Sequence, residues 1–145
     1  MITNERQYRI TKAQLKRFED DLATQDARPP SADVDPRLHQ AMRDALASEA
    51  DELRAQLAHY EQLRDGTITG RDLDSLRELP TALIEARIAA KLTQRALADR
   101  LGIAEQQVQR WEATAYTGVG LERLQDIAEA LDTRIRENVT YSTAT

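Results

Sequence analysis

The sequence predicts an all-α chain in two helical parts, closed by a short terminal strand. Three observations lead there. Aromatic residues make up only 4% of the 145 residues, beside five glycines and four prolines, so the core falls to aliphatic side chains and alanine, which suits helices. Apolar residues recur at spacings of three and four through most of the chain, the signature of helices with one buried face. A turn-rich stretch, residues 65–72 (DGTITGRD), divides the pattern. The expected layout is a helical hairpin over 1–70, a compact helical domain over 71–133 and a tail over 134–145.

From Thr11 the first helix shows Leu15, Phe18 and Leu22 on one face. It ends at the breaker cluster Asp26-Ala27-Arg28-Pro29-Pro30-Ser31. The next opens with Asp35 as cap and Pro36 at the first helical position, where the missing N–H of proline costs nothing, and runs to about Arg64 before Asp65-Gly66. Leu46, Ala50, Leu53, Leu57 and Tyr60 step by four, three, four and three along it, a heptad seam. A short connection makes an antiparallel hairpin the simplest arrangement. The seam closes either on that hairpin or on a second chain. After the joint come a turn of helix at Leu73–Glu78 and a helix from Pro80 or Thr81 carrying Leu83, Ile84, Ile88 and Leu92. Shorter helices follow over Gln94–Leu101, Glu105–Ala113 and Leu121–Leu131. In the tail, Ile135, Val139 and Tyr141 share one side at period two, which predicts a strand.

Several classes of function are excluded. With no cysteine there is no disulfide, thiolate metal site or cysteine nucleophile. His39 and His59 have no ligand partner at i+3 or i+4, so metal spacing fails. Gly118-Val119-Gly120 lacks the spacing of a phosphate loop. No Ser/His/Asp grouping stands out, no cofactor is implied, and an enzyme is not expected. No apolar run approaches the length of a membrane span, and the first residues lack an apolar signal core, so a cytoplasmic location is expected.

The most informative segment is Thr93–Glu112, TQRALADRLGIAEQQVQRWE. Thr93 is suited to cap a helix. Gly102 allows the positive φ of a tight turn between two steeply crossing helices. Ala98, four residues earlier, is small where the second helix passes. Leu97, Leu101, Ile103, Val108 and Trp111 supply an apolar wedge. Ala104 stands where a capping Ser or Thr would be favoured by about 1 kcal/mol.

This segment, with Leu92, Thr93, Gln94, Leu97, Ala98, Leu101, Gly102, Ile103, Val108, Arg110, Trp111 and Glu112 at their spacing, resembles the helix-turn-helix of the lambda-repressor/Cro (XRE) family. The resemblance extends over about Leu79–Asp132. It implies a compact five-helix domain that places the helix Glu105–Ala113 in the major groove of double-stranded DNA. It further implies that Gln94 holds a phosphate, assisted by Thr93 and Arg95 at a helix N-terminus. Glu105, Gln106, Gln109 and Arg110 form one outward patch. Arg110 suits guanine O6 and N7, Gln106 or Gln109 suits adenine N6 and N7, and Glu105 suits cytosine N4, unless it serves only the helix N-terminus. Gln107 points sideways toward a phosphate, and Thr114 and Tyr116 follow the helix toward the backbone. Trp111 belongs to the core, and Glu112 is expected to pair with an arginine.

Charge qualifies this picture. The net charge is −5, and the first 79 residues carry 12 Lys/Arg against 16 Asp/Glu, while the last 66 carry 8 against 9. Phosphate attraction is therefore modest, and a homodimer reading a near-palindrome would compensate. The expected function is a repressor-type transcription regulator. The alternative is a HigA-type antitoxin whose acidic N-terminal part docks a toxin. A third reading is a scaffold that has lost DNA binding.

Overall fold

The structure is a computed structural model describing residues 1–28 and 30–144. Pro29 of the breaker cluster and Thr145 of the tail lie outside the described residues. The chain divides into two compact units, Met1–Thr69 and Gly70–Thr145.

The first unit is an antiparallel hairpin of α1 (Glu5–Ala27) and α2 (Pro36–Asp65). Helix α1 begins six residues before Thr11, where the apolar pattern alone would start it. The reason is local: Asn4 caps it by accepting from the Gln7 N–H at 2.9 Å, and the Gln7 side chain accepts in turn from the Thr3 N–H at 2.8 Å. These bonds start the first turn, and Tyr8 stacks on Tyr60 at 5.2 Å while Ile2 is buried just ahead of the cap. Helix α2 is capped by Asp35 and ended by Gly66 at φ 84°, in the left-handed region. Ala50, Leu57, Tyr60 and Leu63 are buried, whereas Leu46 and Leu53 are half-buried. The seam thus closes on the hairpin, but one-sidedly, because α1 contributes no fully buried residue and Leu15, Phe18 and Leu22 stay half-buried. Arg64–Glu5, Arg54–Glu19 and Arg43–Asp26 ion pairs tie the helices from the open end to the loop end.

The second unit has five helical segments. A 3-10 turn, Leu76–Glu78, is capped by Ser75 in a reciprocal box with Glu78, and it leads into α3 (Leu79–Ala89). The others are α4 (Gln94–Leu101), α5 (Glu105–Ala113) and α6 (Leu121–Ala130). Leu83, Leu97, Val108 and Ile127, one from each α-helix, form the fully buried centre. The expected strand does not form among the described residues: 133–144 have no regular structure, and Val139 and Tyr141 are exposed. Alternating apolar residues make a strand only when another strand satisfies their backbone groups, and the described residues contain none.

Candidate nucleic-acid interface

The joint between α4 and α5 sets the geometry. Gly102 ends α4 at φ 67°, and the Ile103 N–H donates to the Ala98 carbonyl at 3.0 Å, closing the last turn. Ala98 is buried there, and α4 and α5 pack closely beyond it. Thr93 caps α4 by accepting from the Ala96 N–H at 3.0 Å. Ala104 makes no side-chain cap for α5, as its chemistry requires.

What fixes the rotation of α5 is a buried polar network. The Arg87 guanidinium on α3 donates through Nε to Glu112 Oε1 at 2.5 Å and through Nη2 to Oε2 at 2.7 Å. Gln94 Nε2 on α4 adds a third bond to Oε2 at 2.8 Å, and Arg87 Nη1 reaches the Leu92 carbonyl at 2.8 Å. All three side chains are buried, so one carboxylate of α5 is held from two other helices in a low-dielectric site. Glu112 therefore pairs with an arginine as its burial demands.

Sequence reasoning missed Arg87. Its signal was present: a cation among Leu83, Ile84 and Ile88 on the inward face of α3 must have a counter-charge. Gln94, which the resemblance assigns to a phosphate, is drawn into this network and ties α4 to α5.

With Val108 and Glu112 turned inward, Glu105, Gln106, Gln109 and Arg110 stand exposed together, and Gln107 is half-buried beside them. Gln109 donates to Glu105 at 3.3 Å and Arg110 to Gln107 at 3.0 Å, surface bonds that a competing partner displaces cheaply. Thr93, Arg95 and Thr114 are also exposed. The Thr114 hydroxyl donates to the Arg110 carbonyl at 3.1 Å. Tyr116 is not at the surface but buried, so the backbone contact expected of it has no exposed hydroxyl to make it. Its ring lies 6.1 Å from Trp111, which is half-buried and covered on another side by Arg123 at 5.9 Å. The Tyr116 hydroxyl has no hydrogen-bond partner; burial, with the nearby Glu112 charge second, pushes its pKa well above the usual tyrosine value.

Among the described residues there is no cluster of side chains suited to a metal ion, and no helix long and apolar enough to cross a membrane. A short helix whose inner face is locked and whose outer face is polar, set against a capped helix across a glycine turn, defines a helix-turn-helix module. Residues 83–138 match the family model described as helix-turn-helix. Residues 83–138 thus form a helix-turn-helix domain of the lambda-repressor/Cro (XRE) type, the domain of DNA-binding transcriptional regulators. Searches of curated proteins and of solved structures gave no match.

Proposed function

We propose that the protein is a homodimeric repressor working in the cytoplasm and reading a near-palindromic operator through the major groove. The observation that carries this reading is the exposed row Glu105, Gln106, Gln109 and Arg110 on a helix locked from behind by Arg87 and Gln94. Arg110 reads a guanine and Gln106 or Gln109 an adenine, while Glu105 accepts from a cytosine. Thr93, Arg95 and the free amides opening α4 hold one phosphate, with Gln94 fixing α4 from behind through Glu112. Gln107 and Thr114 flank the groove on the other side. Selection of bound sequences from a random DNA pool tests this. An enriched near-palindrome with half-sites one helical turn apart, about 34 Å, is expected. Recovery of unbiased sequence would overturn it. The near-neutral domain also predicts a shallow fall of affinity with salt, set by few phosphate contacts per protomer.

The antitoxin reading keeps one supporting observation, the excess of acidic residues in the first 79. A basic protein bound to the hairpin in the native complex would favour it. Isolation of a complex holding this chain alone would favour the repressor.

A further inference from the structure

The N-terminal half of α2 carries an apolar stripe that the hairpin does not use. Leu38 is 56% exposed and Met42, one turn on, is 60% exposed. Ala41 and Ala45 lie beside them, also exposed. This stripe is separate from the seam of Ala50, Leu57 and Tyr60 that packs on α1. Large side chains left in water one helical turn apart, with small ones beside them, form a surface suited to a helix of matching pattern.

The stripe matches itself. When two copies of α2 lie antiparallel about a twofold axis between Ala41 and Met42, Met42 meets the other copy's Ala41 and Leu38 meets its Ala45. Each large side chain faces a small one. The charges at the ends agree. Arg37 and Glu49 are exposed, and neither makes an ion pair among the described residues. The same register brings Arg37 of one copy within one helical turn of Glu49 of the other, twice by symmetry.

We infer that this stripe is the seam through which two copies of the chain associate. A symmetric contact of this kind makes one surface serve both sides of the interface. The inference deepens the homodimer reading above, and its test uses no DNA, so a failure of operator binding leaves it standing.

The chain has no native cysteine, which makes single-cysteine cross-linking of the full protein a clean probe. Ala41→Cys and Met42→Cys lie at the axis and are expected to form a disulfide-linked dimer under mild oxidation. Ala55→Cys, exposed on the same helix about 20 Å further along, is expected to stay monomeric on denaturing gels. Sedimentation equilibrium supplies the second arm. The wild type is expected at twice 16.4 kDa. Met42→Glu changes a side chain already in solvent, so the hairpin folds, and it should return the chain to monomer. Arg37→Glu and Glu49→Arg should each weaken association by about tenfold, and the two together should restore it. A monomeric wild type would overturn both this seam and the homodimer. A dimer that survives Met42→Glu, or cross-links only at Ala55→Cys, would overturn the seam and leave the homodimer in place.

Discussion

The two units hold themselves together by opposite means. In the hairpin the ion pairs lie outside: Arg43–Asp26, Arg54–Glu19 and Arg64–Glu5 all link side chains that are about one-third to one-half exposed. In the C-terminal unit the decisive pair lies inside, with the Arg87 and Glu112 side chains 3% and 1% exposed. An exposed pair is screened by water and is worth about 0–1 kcal/mol. A buried pair is costly to form and far more costly to break, because removing one partner strands the other charge in a dry site. The hairpin's pairs therefore choose a register. The buried pair chooses an orientation, and that orientation is what a DNA-reading helix needs. Trp111, the single tryptophan, sits in the second unit and packs there beside Tyr116.

The comparison breaks most sharply at the buried pair. Glu112→Ala or Arg87→Ala is expected to destabilise the C-terminal unit by about 3–5 kcal/mol, read as an earlier urea midpoint in Trp111 fluorescence. Arg54→Ala, in the hairpin, should leave that midpoint unmoved and change the helical signal little. Equal effects at the two sites would erase the distinction.

The strength of each sequence signal explains how much was legible. The limits of α4 and α5 and the cap at Thr93 follow from residues with few alternatives: a capping hydroxyl, a glycine that must turn left-handed, an alanine where helices touch. The start of α1 was not legible from apolar spacing, because the polar cap of Asn4, Gln7 and Thr3 sets it, with one long-range stack of Tyr8 on Tyr60 that no local window contains. The tail's alternation was misread for a different reason: a period-two pattern says which side of a strand is apolar but not that a neighbouring strand exists. The network of Arg87, Gln94 and Glu112 spans three helices, so no local window contains it. The outward row on α5 could be placed from helical periodicity, whereas its internal pairs, Glu105–Gln109 and Arg110–Gln107, needed coordinates.

Smaller effects sharpen the comparison further. Gly102→Ala meets no atom within 4 Å, so its cost is backbone strain alone, about 1–2 kcal/mol at φ 67° in the same fluorescence assay. A much larger loss would mean that the turn is crowded rather than merely left-handed. Tyr116→Phe removes a buried hydroxyl that bonds to nothing, and it should leave stability unchanged or raise it by up to about 1 kcal/mol. A marked loss would reveal a bond that this geometry does not contain.

The smallest effect is in the hairpin. The hydrogen bond from Arg43 holds the Asp26 carboxyl below its ordinary value of 3.8. A depressed folded-state pKa gives a contribution that is present above pH 3.8 and is lost as pH falls through the lowered value. Titration of the Asp26 carboxyl by NMR should show that depressed midpoint, and Arg43→Ala should return it toward 3.8. A midpoint at the ordinary value in the wild type would mean that the pair does not persist in solution.

The central claim is that the locked helix α5 presents Arg110 to a base edge. It is tested most directly by measuring the affinity of wild type and Arg110→Ala for the selected operator and for its single-base-pair variants. The substitution is expected to cost about 1–3 kcal/mol and to abolish discrimination at one guanine-containing position of each half-site, leaving the others intact. Unchanged affinity, or a uniform loss at every sequence, would contradict it.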